Sequence, residues 1–169
     1  DRVNQYPVVS KNGEWRQAVL EDGHYDGVVS TDQTATSINT AYALTFTQTL
    51  AAGIAAGTPA SRLVISEGGQ FFVSFAAQIA SSSASTLTFY FWFRINGVDV
   101  PHSTMENSLH RNNATLATSR STILQLVSND YVELMWAVDS TNGTLQASAA
   151  TAFAPANPAS TLSIVRLHG

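Results

Sequence analysis

The chain has 169 residues and a mass of 18.0 kDa, the size of one domain with a single hydrophobic core. Charged residues make up only 12% of the sequence, against roughly 25% in an ordinary soluble domain, and the formal net charge is −4. This balance excludes the basic stripe of a nucleic-acid-binding protein. The absence of cysteine excludes disulfides and thiolate metal sites, and no apolar run is long enough for a membrane span.

Long stretches of the chain carry no charge at all, namely residues 33–61, 68–93 and 140–165. Hydrophobic residues make up 44% of the sequence, which is more than a disordered chain contains. A folded surface with so few charges is typical of a protein that is largely covered by other copies of itself or by partners. We therefore expect an assembled protein.

The first 27 residues differ in composition from the rest of the chain. They are polar and charged, and Pro7 and the Asn-Gly and Asp-Gly pairs break them into short pieces. We interpret residues 1–27 as an N-terminal arm and residues 28–169 as one domain. The aromatic residues Tyr6, Trp15 and Tyr25 suggest that the arm docks on another surface, and the alternative is a frayed terminus.

From residue 28 onward, Ser, Thr, aromatic and β-branched residues come in short runs that indicate β-strands. Two intervening segments are predicted to be irregular, a loop at 53–60 and a polar segment at 102–119. The strands at 62–66 and 70–80 are predicted to form a hairpin, and Asn96-Gly97 is a strong turn signal. The predicted strands are 28–32, 42–50, 62–66, 70–80, 86–95, 98–100, 120–127, 131–138 and 161–167, with 145–153 as a further candidate.

Two of these strands, 86–95 and 131–138, carry apolar side chains on both faces. In the first, the residues from Leu87 to Ile95 alternate with Tyr90 and Trp92 on the opposite side. Such a strand is expected to lie between its own core and a second body. About eight to ten strands with frequent turns indicate an antiparallel sandwich or barrel.

Residues 91–103 (Phe-Trp-Phe-Arg-Ile-Asn-Gly-Val-Asp-Val-Pro-His-Ser) resemble a family of phage particle proteins that is common in marine phages, including those of cyanobacteria. Residues 31–42, 62–65 and 129–136 add to the resemblance, which covers 28–169. Those proteins are similar to the jelly-roll heads of the first complement component and of tumour necrosis factor. The resemblance implies an all-β, antiparallel jelly-roll sandwich that forms homotrimers around a hydrophobic axis.

Given that resemblance, the strands with two apolar faces are the candidates for the trimer axis. The predicted interface residues are Phe89, Phe91, Trp92, Phe93, Tyr131, Met135 and Trp136. Trp92 and Arg94 have a second interpretation, as a pair that stacks on a ligand.

No pattern in the sequence indicates catalysis or a cofactor. His24, His102, His110 and His168 lack the spacing of metal ligands, and nucleophile-elbow, phosphate-loop and dinucleotide motifs are absent. The acidic residues lie beside turns and strand ends, where solvated turn chemistry accounts for them. A calcium ion in the loops is the metal site that the composition leaves open.

The expected function is therefore non-enzymatic: a trimeric decoration or fibre protein on a phage particle, assembled in the cytoplasm of the bacterial host. Its expected partners are its own copies and other virion proteins, with no nucleic acid and no membrane. Tyr6, Trp15 and Tyr25 of the arm are the residues expected to anchor it to the virion. A second hypothesis is a tail-fibre tip that binds a host receptor or surface glycan through loops 102–119 and 140–145. A third is an enzyme acting on host sugars, which would need a paired-carboxylate cleft that the sequence does not show.

Overall fold

The computed structural model describes residues 8–11, 14–17 and 23–168, and it describes side chains from residue 23 to residue 167. These residues form sixteen β-strands and no helix. In chain order the strands are β1 (Val8–Lys11), β2 (Glu14–Gln17), β3 (His24–Val29), β4 (Gln33–Thr34), β5 (Tyr42–Ala43), β6 (Thr47–Ala52), β7 (Ile54–Ala56), β8 (Leu63–Ile65), β9 (Gly69–Ser81), β10 (Leu87–Ile95), β11 (Val98–Asp99), β12 (Met105–Leu109), β13 (Ala114–Leu126), β14 (Tyr131–Val138), β15 (Gly143–Leu145) and β16 (Ser160–His168).

Two antiparallel sheets form the domain, and β1 and β2 pair separately as a hairpin. Sheet I has the order β4-β15-β9-β16-β3-β6, with β13 also paired along the whole length of β9. Sheet II has the order β11-β10-β14-β8-β7, with β12 on β10 and β5 on β14. This is the antiparallel jelly-roll sandwich that the sequence predicts.

Aromatic side chains fill the space between the sheets. Alternation along β9 points Phe71, Val73 and Phe75 inward, and alternation along β10 points Phe89, Phe91 and Phe93 toward them. The ring centroid of Phe75 lies 5.3 Å from that of Phe91 and 5.8 Å from that of Phe93. Each such buried ring contributes about 1.5–3 kcal/mol through the hydrophobic effect, so this layer is the main source of stability.

The predicted hairpin of 62–66 and 70–80 is wrong. β8 pairs with β7 and β14 in sheet II, whereas β9 is a central strand of sheet I. The Glu-Gly-Gly segment between them is a corner where the chain passes from one sheet to the other. A Cβ atom at Gly68 would lie 3.1 Å from the carbonyl oxygen of Leu126, which is tighter than an ordinary contact, so this corner favours glycine.

Several predicted boundaries also differ from the structure. Part of the segment 102–119 is regular, because it contains β12 and the first half of β13. Part of the predicted loop 53–60 is β7, and the predicted strand 42–50 is interrupted between β5 and β6. The candidate strand at 145–153 is mostly irregular, since only its first residue belongs to β15 and Ser148 forms an isolated bridge with Asn157.

The N-terminal boundary of the domain lies earlier than residue 28. β3 begins at His24 and is hydrogen-bonded between β16 and β6, so residues 24–27 are part of sheet I. Only the hairpin β1–β2 is described in the rest of the predicted arm.

The turn predicted at Asn96-Gly97 is confirmed. Both residues have positive φ angles, 50° and 81°, as a two-residue hairpin turn requires, and the turn joins β10 to β11. The Asn96 amide donates to Asp130 Oδ1 at 2.6 Å, and the backbone N–H of Tyr131 donates to Asn96 Oδ1 at 3.0 Å. These bonds fix the edge hairpin to the start of β14.

Replacing a ring of the inter-sheet layer should therefore destabilise the protein far more than replacing an exposed ring. We expect Phe91→Ala to lower the free energy of unfolding by about 3–5 kcal/mol, because it leaves a cavity between the sheets. The matched control is Phe153→Ala, whose ring is 91% exposed and whose loss should change it by less than about 0.5 kcal/mol. Denaturant unfolding at fixed protein concentration measures both; equal effects would contradict the described core.

Candidate functional site

The predicted trimer-interface residues lie mostly inside the subunit. Phe89, Phe91 and Phe93 are 0% exposed, and Met135 and Trp136 are 2% exposed. A side chain that is buried in its own domain cannot contact another copy. The prediction is therefore wrong for these five residues, and only Trp92 and Tyr131 are partly exposed.

The interface prediction is wrong because other parts of the same chain cover both faces of β10 and β14. The inward faces of β10 and β14 pack on sheet I. On the outward face, Met135 lies between Trp92 of β10 and Ala43 of β5. Further along that face, the guanidinium of Arg62 lies 4.5 Å from the ring centroid of Tyr131. Apolar residues on both faces of these strands are thus no evidence for a second body.

The structure tests only one of the three predicted anchoring residues, Tyr25. Tyr25 is 0% exposed within sheet I, and this burial raises the pKa of its phenol, so it cannot grip a separate surface as predicted. Tyr6 and the side chain of Trp15 lie outside the described part of the molecule. Their role as anchors stays a prediction.

The outer face of sheet I carries a row of exposed apolar side chains that the sequence did not single out. Ile123 of β13, Phe72 of β9 and Val165 of β16 are direct register partners across three neighbouring strands. Their side chains are 58%, 39% and 43% exposed, respectively. We call these three residues the apolar row. Adjacent strands are about 4.8 Å apart, so the row is continuous.

Small polar residues lie beside the apolar row. One step along the same face, Ser121, Ser74 and Ser163 are register partners in the same three strands, and we call them the serine row. The outward positions of β3, β9, β13 and β16 hold a single charged residue, Asp26, and its Oδ1 accepts a hydrogen bond from Ser163. This face is nearly uncharged and partly apolar. The charge-free stretches 68–93 and 140–165, which contain β9 and most of β16, are the sequence signal that could have indicated it.

The outer face of sheet II carries a different feature, an open groove of about 380 Å³. Its floor consists of Tyr90 and Trp92 of β10 and Ala137 of β14. Asn39 and Ala41 form the wall beyond β14, where the N–H of Asn39 donates to the carbonyl of Val138 at 2.9 Å. The short side chains of Ala137, the register partner of Tyr90, and of Ala41 in the wall leave this space open.

The opposite wall is formed by Thr104 and Asp99, and the carboxylate of Asp99 is held in place. The Trp92 indole Nε1 donates to Asp99 Oδ1 at 2.7 Å, and Arg94 Nε donates to the same oxygen at 2.8 Å. These bonds, the indole bond first, hold the pKa of Asp99 below its ordinary value. The second oxygen, Oδ2, accepts no hydrogen bond from the described residues.

Outside the groove, the polar side chains of the described residues form only local contacts. Among the described residues, no three His, Asp or Glu side chains come together in a way that could hold a metal ion. His110 contacts Thr86 at 3.2 Å, and His102 lies in the turn before β12. The same part of the chain offers no helix of the length and hydrophobicity that crossing a membrane demands.

The fold and its two outward faces define a class of architecture, the jelly roll of the tumour necrosis factor type. Among solved structures, the chain is similar to murine APRIL, a protein of the tumour necrosis factor family, with a TM-score of 0.53 over 87% of this chain and 100% of that chain. The two sequences are only 10% identical, so the likeness concerns the fold alone. No protein-family model matches the chain, and no curated protein matches it.

The hydrogen bonds to Asp99 predict how its carboxyl group titrates. We expect a pKa below the ordinary value of 3.8, and we expect Trp92→Phe and Arg94→Gln each to raise it, because each removes a hydrogen bond to the ionised carboxylate. Since the folded pKa is depressed, the bonds stabilise the protein above the unfolded pKa, and this contribution is lost as the pH falls through the folded value. Carboxyl NMR titration of the three proteins measures the effect. An unshifted pKa in the parent protein would contradict the described contacts.

Proposed function

We propose that this chain is a non-enzymatic, trimeric structural protein of a bacteriophage particle, displayed on the virion surface as a decoration or fibre protein. The resemblance of residues 91–103 to phage particle proteins supports the viral origin. The jelly roll of the tumour necrosis factor type supports a trimeric head. Other virion proteins are the expected partners of the N-terminal arm, and assembly is expected in the cytoplasm of the bacterial host.

The observation that carries the trimer is the apolar row. Exposed Ile123, Phe72 and Val165 form a continuous strip that a solitary subunit leaves in water. The side chains of the neighbouring serine row are small and uncharged, so they do not prevent a second copy from packing on this face. Covering exposed apolar surface stabilises an assembly by about 25 cal/mol per Å², from which the costs of association are subtracted. The face of sheet I therefore replaces the buried residues of β10 and β14 as the proposed interface.

A charge placed in the apolar row should break the trimer. We expect the parent protein to sediment as three 18.0 kDa chains at micromolar concentration, and Ile123→Asp to sediment as one chain, because association would bury an unpaired carboxylate. Val98→Asp is the matched control, since Val98 is 70% exposed on sheet II, and it should stay trimeric. Circular dichroism checks that both variants are folded. A monomeric parent protein would exclude the trimer.

The place of the protein in the particle is tested separately. We expect a reconstruction of the virion to contain threefold density that fits this jelly roll on the outer surface of the head or at a fibre. Gold-labelled antibodies against the chain should bind intact particles. Particles that lack the chain in a protein gel would overturn the virion assignment even if the isolated protein is trimeric.

The groove on sheet II favours a second candidate function, a tip module that binds a host receptor or surface glycan. This candidate differs from the sequence-based hypothesis in its location. The groove uses the sheet face and only Thr104 from loops 102–119 and 140–145. An aromatic floor beside fixed polar groups is the composition of a small-molecule site.

A further inference from the structure

We propose that the groove on sheet II binds neutral pyranose rings of a polysaccharide. The inference rests on the second candidate function, and it is independent of the trimer because all the groove residues belong to one chain. Three properties of the groove carry it: the aromatic floor, the fixed hydrogen-bonding rim and the absence of excess positive charge.

The floor offers flat apolar surface to a ligand. Tyr90 and Trp92 are two residues apart on one face of β10, which places their Cα atoms about 7 Å apart. Both side chains are partly exposed, and the adjacent Ala137 leaves the space above the strands open. A pyranose ring has an apolar face of C–H groups that packs on such aromatic rings.

The rim offers hydrogen-bonding groups of both kinds. Asn39 and Thr104 can each donate and accept, and Asp99 accepts. The indole of Trp92 and the guanidinium of Arg94 hold Asp99 by Oδ1, so its free Oδ2 is oriented before any ligand arrives. A carboxylate accepts strong hydrogen bonds from hydroxyl groups, and a pyranose ring carries hydroxyls around its edge.

The charge at the groove argues against an acidic ligand. Besides Asp99, the exposed Glu106 is the register partner of Tyr90. Two guanidiniums balance these carboxylates: Arg94 Nε donates to Asp99 at 2.8 Å, and Arg120 donates to the carbonyls of His102 and Thr104 at 2.8 and 3.4 Å. These four groups carry no net charge, so the groove lacks the excess positive charge that would attract phosphate, sulfate or uronate groups. A neutral sugar needs no such charge.

The test is an array of immobilised glycans that carries neutral glucan, mannan and galactan oligomers together with acidic polyuronate oligomers. We expect the full chain to bind neutral oligomers and not polyuronates, with saturation-transfer NMR signals on the C–H face of the bound ring. Binding to no neutral oligomer, or equal binding to polyuronates, would overturn the proposal.

Two variants place the binding in the groove. Ala41→Phe fills it from an exposed position and should weaken binding at least tenfold, whereas the control Ala55→Phe adds the same ring on the exposed edge strand β7 and should leave binding unchanged. Asp99→Asn removes the charged acceptor and should weaken binding about tenfold. Equal affinity of Ala41→Phe and the parent protein would exclude the groove.

Sedimentation of the same samples separates this inference from the proposed trimer. A trimer that binds no neutral glycan would overturn the groove assignment alone. A monomer that binds glycans and loses them in Ala41→Phe would overturn the trimer alone.

Discussion

The packing of Phe75 against Phe91 and Phe93 is the constraint on which the other features depend. It fixes which side of β9 and which side of β10 face the core. Because side chains alternate along a strand, it also decides what each strand presents to the outside: Phe72 on sheet I, and Tyr90 and Trp92 on sheet II. A one-residue slip in either strand would exchange core and surface. The two outward faces are therefore consequences of one inter-sheet contact.

The two outward faces differ in ways that suit different partners. Sheet I presents the apolar row and the serine row, with glutamines further along the strands, and its described outward carboxylate, Asp26, accepts a hydrogen bond from Ser163. A face with so few charged groups loses little hydration when a second copy covers it. Sheet II presents a concave strip between Asn39 and Asp99, with polar groups at its edges. Concave, polar-rimmed surface is suited to a small ring rather than to another sheet.

Features that depend on short-range sequence patterns could be predicted, whereas features that depend on pairing between distant segments could not. The Asn96-Gly97 turn and the all-β class follow from short-range patterns that the structure confirms. The alternation along β10 did not reveal which face is inward, since Phe89, Phe91 and Phe93 were predicted at an interface and lie in the core. The first half of β13 was missed because Ala114 to Ser119 lacks apolar alternation, and its extended form is imposed by pairing with β9. The hairpin at 62–80 failed because its glycines mark a bend but not the sheet that each arm joins. The groove could not be predicted from the sequence, because Asn39 and Ala41 come from a segment far from Trp92 along the chain.

The two proposed surfaces are compatible, because they occupy opposite outer faces of the sandwich. A trimer that buries the apolar row would leave all three grooves open. An open groove that holds a ring by stacking and a few hydrogen bonds forms few contacts, so the affinity of each site should be modest. In the proposed trimer, three grooves would be available to one polysaccharide, and avidity would then exceed the single-site affinity without any new contact. A shallow site is therefore sufficient for attachment only when the subunits are joined. The proposed interface on sheet I would in this way make the groove on sheet II an effective binding site.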